Sequence, residues 1–405
     1  MRVEPVRQAG NADAEPFTVS SLRRRNRATV LKHIILARQT TRATIARDSG
    51  LSAASVISIV SDLIADNLVE EAGSMASRGG RPIGLLRPRG DSAITIGADI
   101  GERGVAVEMF DLAMNRIDRE FRGGSEREPP DRIAADLTDA LTALRDRHSD
   151  RWTSLLGIGL GLPGIVETDH NGRQILFAQS LGWGPVRVTD LCTITEGVHA
   201  ENGAKMQARA ELWYGAARGC DFAVVALLGR GVGLGVISEG RLARGSRSSA
   251  GEWGHMVIER NGRPCACGSR GCVEAYIGSD AILADWKRRG GEFDGTGWRA
   301  MGALLDAADS GDAAASEVLD ETIDCLGAAI GGLVNMHNPQ RIVIGGWVGL
   351  RLMESVAARI HTSIESHCLT RPGQQFELAI AELGGDSVAI GSALLPIENL
   401  IAPHR

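Results

Sequence analysis

The 405-residue chain has no uninterrupted apolar stretch that approaches the ~20 residues of a membrane-spanning helix. Its first 20 residues also lack the apolar core of a secretory signal peptide, and their composition predicts a disordered leader over residues 1–20. These two absences favour a cytoplasmic protein with no membrane partner. Because cytoplasmic thiols stay reduced, the seven cysteines do not predict a disulfide framework.

Charge of the two signs is unevenly distributed along the chain. Residues 21–90 hold 12 Lys and Arg against 5 Asp and Glu, a net charge of +7, whereas residues 91–405 hold 30 against 42, a net charge of −12. A small basic segment joined to a large acidic one is typical of a nucleic-acid-binding domain attached to a second module. We therefore predict a DNA-binding domain over residues 21–90, called the head, and a second domain over residues 91–405, called the body. A solvated charged surface is the alternative explanation of the charge alone.

The head has the pattern of three helices that end in a helix-turn-helix. We predict helices over Leu22–Arg38, over Arg42–Ser49 and from Ser52 to about Asp66. Thr41 and Ser52 can cap the second and third helices, and Gly50 allows the left-handed turn between them. The third helix has an apolar inner face made of Val56, Ile59, Val60, Leu63 and Ile64.

The other face of the third helix is small and polar, which suits insertion into the major groove of DNA, where hydroxyls bond bases or phosphates. Strand-like stretches at Leu68–Glu71 and Ile83–Arg87 then flank the loop Ser77–Pro82. Arginines on such a loop, a wing, suit the narrow minor groove of A·T-rich DNA. The candidate DNA contacts are Thr41, Arg42, Ser52, Ala53, Ser55, Ser58, Arg78 and Arg81. A small helical protein–protein module is the alternative.

The body alternates apolar strands with glycine-rich turns and helices. Predicted strands at Ile94–Asp99, Leu155–Leu160, Phe222–Leu228 and Arg341–Ile344 each lead into a turn with one or more glycines. Strands that end in such turns, with helices between them, indicate an α/β architecture that binds ligands at the strand ends.

Three cysteines and a histidine form a compact candidate metal site. The motif Cys-x-Cys-x4-Cys follows a histidine by ten positions, and its members are His255, Cys265, Cys267 and Cys272. Three thiolates and an imidazole suit tetrahedral Zn²⁺, and four protein ligands close the site, so the predicted zinc is structural. A chance cluster of reduced cysteines is the alternative. The remaining cysteines are scattered and are predicted to be core or surface thiols: Cys192, Cys220, Cys325 and Cys368.

On these motifs the body resembles the ROK family (repressors, open reading frames and sugar kinases) over nearly all of residues 92–400. The most specific stretch runs from Gly251-Glu-Trp-Gly-His255 through the three cysteines to Glu274. With its head, the chain resembles the xylose and N-acetylglucosamine repressors of that family. The resemblance implies a winged helix-turn-helix followed by two actin-like, hexokinase-like α/β lobes, with a sugar bound in the cleft between the lobes.

The resemblance also indicates which side chains contact the sugar: Asn202, Glu252, His255, Glu274 and Ser180. Ser180 stands where the family often has an asparagine. A His255 that binds zinc through one ring nitrogen can offer the other to a sugar hydroxyl, because the metal fixes the tautomer and the ring orientation. For each glutamate the alternative is a solvated surface charge.

Two departures from the kinases of this family predict that the protein is not an enzyme. Those kinases carry an aspartate, the general base, directly after the asparagine that Asn202 matches, and here that position is Gly203. Their first phosphate loop reads Asp-x-Gly-Gly-Thr, whereas this chain has Asp99-Ile-Gly-Glu-Arg103. Glu102 would repel the phosphates by roughly a few kcal/mol.

Other classes of protein remain open at this stage. The nearby Glu201 and Lys205 do not match the position of the base, and the glycine-rich turn Gly231–Gly235 still permits nucleotide binding. A sugar kinase with an accessory DNA-binding head is therefore the competing class. A scaffold that only binds DNA is a third class.

The resemblance implies a homodimer or homotetramer that binds a pseudo-palindromic double-stranded operator. A sugar effector would change operator affinity only if it prefers one of two conformations of the protein. Repression relieved by sugar is the expected sign, and activation or co-repression are the alternatives.

Overall fold

The computed structural model describes residues 18–76, 82–101, 104–124, 128–194, 197–295 and 297–402. The chain divides into two units, of which the second contains Ala93–Asp111 and Asn115–Pro396. The first contains the chain up to Ser92, together with Leu112–Met114 and the residues from Ile397 onwards. The sequence predicts a boundary between residues 90 and 91, and the assignment of domains stays a prediction.

Up to Ser92, the first unit consists of three helices followed by a hairpin. Its described elements are α1 (Val19–Ala37), β1 (Thr40–Thr41), α2 (Arg42–Ser49), α3 (Ala53–Ala65), β2 (Val69–Met75) and β3 (Ile83–Pro88). The hydroxyls of Thr41 and Ser52 cap α2 and α3, each accepting a hydrogen bond of 3.1 Å from the backbone N–H three residues later. Gly50 ends α2 in the left-handed region, with φ of 69°. Strand β1, which the sequence did not indicate, pairs with β3 in a sheet of order β1-β3-β2.

The apolar faces of the three helices form the core of this unit. Ile64, expected on the inner face of α3, is only half-buried. Two ion pairs of 2.7 Å, Arg23 to Asp62 and Arg27 to Asp66, join α1 to α3. The buried side chains are Val30, Leu31, Ile34, Ile35, Ile45, Val56, Ile59, Val60, Leu63, Val69 and Leu86.

The second unit begins with a lobe built on one mixed sheet. Its elements are β4 (Ile94–Gly101), β5 (Gly104–Asp111), β6 (Arg116–Gly123), α4 (Pro130–Arg147), β7 (Leu155–Leu162), β8 (Ile165–Thr168), β9 (Gln174–Phe177), β10 (Val186–Arg187), α5 (Val188–Leu191) and β11 (Val198–Asn202). The five-stranded sheet has the order β11-β7-β4-β5-β6, and β8, β9 and β10 form a small antiparallel sheet of their own.

A second lobe follows, built on another five-stranded sheet of order β14-β13-β12-β15-β16. Its elements are α6 (Gly203–Tyr214), β12 (Ala223–Leu228), β13 (Val232–Ser238), β14 (Arg241–Leu242), α7 (Glu274–Ile277), α8 (Ser279–Arg288), α9 (Trp298–Asp309), α10 (Ala313–His337), β15 (Arg341–Gly345), α11 (Gly346–Ser366), α12 (Thr370–Gly373), β16 (Glu377–Ile380) and α13 (Ser387–Ile401).

The two large sheets share one pairing pattern. In each, the central strand (β4 or β12) starts an antiparallel hairpin series on one side. On the other side it pairs with one parallel strand, and that strand pairs with a second parallel strand. Each lobe has its own buried apolar cluster, one around β4, β5 and α4 and the other around β12, α10 and α11. The body is therefore the two-lobed α/β fold that the resemblance implied, and the predicted strands agree with the observed ones to within a few residues.

Helices α6 and α13 are held against the sheets by glycines. A Cβ on Gly159 of β7 would lie 1.8 Å from the carbonyl oxygen of Ser392 in α13, so only glycine permits this approach. Cβ atoms on Gly233 and Gly235 of β13 would lie 2.5 and 2.1 Å from the Cβ atoms of Ala204 and Ala208 in α6. Helix α6, which follows the last strand of the first sheet, thereby packs on the second sheet. The turn at Asn202, where β11 becomes α6, lies where the first lobe passes into the second.

Candidate functional site

The predicted metal ligands come together in the structure. One ligand atom from each of His255, Cys265, Cys267 and Cys272 lies within 4.8 Å of all the others. Nδ1 of His255 is 3.7 Å from Sγ of Cys265, and the Sγ atoms of Cys267 and Cys272 are 3.8 Å apart. Tetrahedral Zn²⁺ with Zn–S bonds of ~2.3 Å separates its sulfur ligands by about 3.8 Å. The cluster therefore has the composition and spacing of a metal-binding site.

The loop that carries this cluster is held by short backbone contacts. Isolated bridges pair Val257 with Cys272 and Pro264 with Arg270. Gly271, with φ of 78°, would bring a Cβ to 1.8 Å from the Glu259 carbonyl oxygen, so glycine is required there. In the structure as it stands, burial raises the pKa of the Cys265 thiol to about 12. A bound cation would offset this cost, because thiolates are the form that binds metal.

The loop that carries the His/Cys3 cluster is also anchored by an ion-pair network. Arg263, two residues before the first cysteine, donates to Asp285 at 2.9 Å and also to Glu321, and its guanidinium lies over the Tyr276 ring at 4.6 Å. Tyr276 in turn accepts a 2.9 Å hydrogen bond from the Arg263 backbone N–H. Asp285 is almost fully buried, so these bonds fix the loop to α8 and α10. Nothing in the local sequence indicated this network, because its members are distant in the chain.

Four of the predicted sugar contacts are linked to one another by their charges or by a shared cavity. Burial raises the pKa of Glu252, although the charges of Lys205 and His255 lower it. The nearby charge of Glu274 raises this pKa further. Glu274 and Ser180 line the same cavity. Trp253, between Glu252 and His255 in the chain, is 2 % exposed and donates its indole N–H to the Ala329 carbonyl at 3.3 Å.

The side chain of Asn202 also stabilises the local structure. Its Oδ1 caps α6 by accepting from the N–H groups of Ala204 and Lys205, at 2.9 and 3.2 Å, and its Nδ2 donates to the Gly164 carbonyl at 2.8 Å. Gly164 belongs to a turn of the first lobe, so Asn202 ties that turn to the start of α6. Nδ2 of Asn202 carries a second proton besides the one that it donates to Gly164.

A buried polar network lies beside Asn202. The carboxylate of Glu201 accepts from Ser248 at 3.0 Å and pairs with Arg244 at 3.2 Å and with Lys205 at 3.7 Å. Lys205 is 1 % exposed, and burial lowers its pKa against the opposing effect of Glu201 and Glu252. The sequence analysis singled out Glu201 and Lys205 because they flank Asn202. It did not indicate Arg244 and Ser248, which lie in a loop more than 40 residues further along the chain.

The glycine-rich turn before β13 is occupied by protein groups. The backbone N–H of Val232 donates a hydrogen bond to Oε2 of Glu274 at 2.9 Å. A carboxylate of the protein is therefore already bound to an N–H group that a phosphate would need. A Cβ on Gly229 would lie 3.3 Å from Nε1 of Trp347. These glycines are therefore explained by close packing on Trp347, Glu274 and α6.

The first phosphate loop is only partly described. Asp99 lies in β4, and burial raises its pKa to about 6. Glu102 and Arg103, on which we based part of the case against kinase activity, lie outside the described residues. Gly203 adopts no left-handed conformation, and its nearest neighbours would be 3.7 Å from a Cβ, so the fold does not require glycine at this position.

Six of the eight candidate DNA contacts lie among the described residues, and each of them is exposed or half-buried. On α3 and its cap, Ser52, Ala53 and Ser58 are exposed and Ser55 is half-buried. The Ser52 and Ser55 hydroxyls lie 2.9 Å apart. The guanidinium of Arg42 pairs with Glu71 of β2 at 2.8 Å. Arg78 and Arg81 of the predicted wing lie outside the described residues.

Within the part of the chain that the structure describes, no helix combines the length and hydropathy needed to cross a bilayer. The features that remain are a two-lobed α/β fold, a His/Cys3 cluster and a polar cleft where β11 becomes α6. They define a protein of the sugar-kinase-like class with a cluster of side chains that could hold a metal ion.

Residues 95–399 match the sequence profile of the ROK family, and the chain belongs to this family. It is 31 % identical over 312 residues to a glucokinase of Halalkalibacterium halodurans, a match that covers 74 % of this chain and 94 % of that one. It is 27 % identical over 378 residues to the xylose repressor of Bacillus spizizenii, covering 93 % and 96 %. It is 29 % identical over 353 residues to the transcriptional regulator NagC of Escherichia coli, covering 84 % and 82 %.

Solved structures give the same fold. A ROK family transcriptional regulator, described as a homologue of the E. coli MLC protein, superposes with a TM-score of 0.74 at 22 % identity and covers 94 % of this chain and 97 % of its own. The glucokinase of Streptomyces griseus in complex with glucose and AMPPNP superposes with a TM-score of 0.64 at 25 % identity and covers 75 % and 99 %.

Proposed function

We propose that the protein is a sugar-responsive, DNA-binding transcriptional repressor. The observation that carries the proposal is coverage: the xylose repressor match takes in 93 % of this chain, whereas the glucokinase match takes in 74 %. The kinase-like body is thus shared with enzymes and repressors, and the match that extends through nearly the whole chain is to a repressor.

The head would act as a winged helix-turn-helix. Its capped α2 and α3, the left-handed Gly50 between them and the hairpin β2–β3 support this assignment. In such domains the second helix of the motif enters the major groove, here α3 with its exposed Ser52, Ala53 and Ser58. The excess positive charge of residues 21–90 would supply the phosphate attraction.

The body would bind the sugar, and a structural zinc would hold one of its contacts. Nδ1 of His255 is the ring nitrogen that faces Cys265, so Nε2 is left for a sugar hydroxyl. Glu252, Glu274, Asn202 and Ser180 would bind further hydroxyls. The His/Cys3 donor set suits Zn²⁺, which when bound would supply a fixed tautomer and loop geometry.

Three features support the absence of phosphoryl transfer. Gly203 has no side chain at the position of the general base, and the Val232 amide of the second glycine turn is taken by Glu274. In addition, Glu102 brings a negative charge to the first phosphate loop. The glucokinase match keeps an ATP-dependent sugar kinase as the second candidate.

Sugar and DNA would be coupled through two conformations of a homodimer or homotetramer. A sugar that prefers the conformation of lower operator affinity releases the DNA, and a coupling of ~1–3 kcal/mol changes operator affinity roughly 5–150-fold.

The decisive experiment uses the full-length protein. A duplex is first selected from a randomised DNA pool, and fluorescence anisotropy then measures its affinity with and without a panel of sugars. We expect at least one sugar to weaken binding more than 5-fold, and Glu252→Ala to abolish this response. Glu354→Ala, which removes an exposed glutamate from α11, is the matched control and should respond like the parent.

Parallel assays separate the alternatives. Release of ADP in proportion to added sugar would replace the repressor with a kinase. DNA binding that no sugar alters would leave a scaffold. Elemental analysis should find one zinc per chain, and Cys267→Ser should lose it, whereas Cys325→Ser, outside the cluster, should retain it.

A further inference from the structure

A cavity of about 590 Å³ extends from the predicted sugar contacts toward α8. Ser180 and Glu274 line it, but Asn202, Glu252 and His255 do not. Most of its wall consists of residues outside the predicted sugar set, from the loop Arg263–Ala266 and from α8. The cavity is therefore mainly space beyond a first sugar ring that Glu252 and His255 would hold.

The volume exceeds what one ring needs. If each non-hydrogen atom takes at most the ~30 Å³ of a water molecule in the liquid, the roughly 12 such atoms of a hexose need at most about 360 Å³. The 590 Å³ are therefore enough for one ring, in addition to the first ring, which Glu252 and His255 would hold outside this volume.

The wall of this cavity is charged but balanced. Arg230 pairs with Asp280 at 3.3 Å, and Arg263 and Arg288 both pair with Asp285. Together with Glu274, three carboxylates face three guanidinium groups in the lining. An anionic ligand would gain from the arginines but would be repelled by the carboxylates, whereas a neutral ligand with many hydroxyls can donate to the latter and accept from the former.

Apolar side chains complete the wall. Leu181, Pro264, Ala281 and Ala284 line the cavity between the ion pairs. Such surfaces suit the C–H faces of a pyranose ring, since binding pockets combine apolar walls with a few polar groups that fix orientation. Ala281 and Ala284 are one helical turn apart on α8 and open the space that a larger side chain would fill.

We propose that the effector is a neutral disaccharide, with one ring at Asn202, Glu252 and His255 and the second ring in this cavity. The proposal rests on the proposed sugar-sensing function and specifies its ligand. Glu274 and Ser180, which line the cavity and belong to the predicted contacts, lie where the two rings join. Arg230, Asp280 and Arg288 become specificity-determining residues for the second ring.

The test measures the affinity of the full-length protein for a panel of neutral disaccharides and for their constituent monosaccharides by calorimetry and thermal shift. We expect at least one disaccharide to bind at least 10-fold more tightly than either constituent. Ala284→Trp, which fills the cavity, should remove this advantage while leaving monosaccharide affinity within 3-fold. Lys287→Trp, at a position on the same helix that does not line the cavity, is the control and should keep the advantage.

Unliganded melting temperatures of both tryptophan variants, compared with that of the parent, check that they fold. The proposal is overturned if monosaccharides bind as tightly as every disaccharide, if Ala284→Trp leaves disaccharide affinity unchanged, or if a sugar phosphate binds more tightly than any neutral sugar. In these three cases sugar sensing itself survives. Failure of every saccharide to bind would overturn both this proposal and the sugar-sensing function.

Discussion

The guanidinium of Arg42 lies at the start of α2, where we expect it to contact DNA, yet it pairs with the Glu71 carboxylate at 2.8 Å. Binding to a phosphate would require Arg42 to leave this partner or to share it. Glu71 is well exposed, so the pair is screened by solvent and is worth ~0.2–1 kcal/mol. We therefore expect the ion pair to lower DNA affinity modestly.

Removal of this competing carboxylate should strengthen DNA binding. We expect Glu71→Gln to raise affinity about 1.5- to 5-fold, which corresponds to the free energy of the exposed pair. Glu70→Gln removes the same charge from the neighbouring position, whose partner is Arg87, and serves as the control. Anisotropy titrations at two salt concentrations measure both. Equal gains from the two variants would mean that only net charge matters and would contradict a role for Arg42.

Gly203 offers a test of how far the body is from a kinase. Because a Cβ there would meet only ordinary contacts at 3.7 Å, and because a carboxylate is favoured in the first turn of α6, Gly203→Asp should fold with a melting temperature close to that of the parent. We expect no ADP release, since Glu274 still occupies the Val232 amide. Gly203→Ala is the control. Sugar-dependent turnover in the aspartate variant would show that the missing base alone separates this body from an enzyme.

Local chemistry explains which residues the sequence could indicate. The caps Thr41 and Ser52 act through neighbours three positions away, and the His/Cys3 ligands lie within one loop, so short motifs were sufficient. Arg244 and Asp285 reach their partners across the fold, and no pattern along the chain indicates such pairs. Asn202 was predicted as a sugar contact from a motif, but its hydrogen bonds to α6 and to Gly164 became apparent only in three dimensions.

At the scale of single elements, the hairpin β5–β6 carries an unusual buried acid. Glu108 on β5 is 1 % exposed and lies 3.5 Å from both Arg116 and Arg119 on β6. Both arginines bind Asp386 at shorter distances, 2.7 and 3.2 Å. Burial and the nearby Asp386 raise the pKa of Glu108 to about 7 against the effect of the two arginines.

This pKa predicts a pH-dependent stability. The folded protein holds the Glu108 proton more tightly than the unfolded chain, so the contribution of this group is lost as pH rises from about 4.5 to about 7. At ~1.4 kcal/mol per pKa unit, the free energy of unfolding falls by up to about 3 kcal/mol. Glu108→Gln cannot ionise, so the stability of the variant relative to the parent should increase by that amount between pH 5 and pH 8.

Denaturant unfolding at the two pH values measures the effect. Glu377→Gln, in an exposed ion pair with Arg341, is the control, and its difference from the parent should change little with pH. A difference between parent and Glu108→Gln that is the same at both pH values would contradict the assigned protonation.

Strand β13 demonstrates how an element can mislead a sequence-based interpretation. Its glycines at positions 233 and 235 match the pattern of a phosphate-binding turn, but they lie inside a strand and let α6 approach. Glycine fits either requirement, since it provides both backbone freedom and the absence of a side chain. The strand order and the repeated sheet pattern could likewise not be predicted from the sequence, because they depend on pairings between distant segments.

For the whole molecule, the unequal charge of head and body bears on how the protein meets DNA. A body of net charge −12 is repelled by the phosphates, so we expect a head of net charge +7 to bind tightly only where two heads engage at once. Sedimentation velocity should therefore give two or four times the chain mass of 42.9 kDa. Footprinting should find half-sites separated by a multiple of ~10–10.5 base pairs.

Two outcomes would contradict this prediction. A protein that is monomeric at the concentration where it saturates DNA, with a single protected half-site, would contradict the paired arrangement. A dimer that protects two half-sites out of phase with the helical repeat would contradict the groove geometry.

The buried Trp253 gives the protein an optical consequence. Its indole is bonded to the Ala329 carbonyl, Glu252 and His255 lie close to it along the chain, and emission from indole responds to small changes in nearby charge and hydrogen bonding. Ligand binding should therefore change the intrinsic fluorescence of the protein, without any dye or label. Cell extracts could then be screened for the natural inducer by adding them to the purified protein.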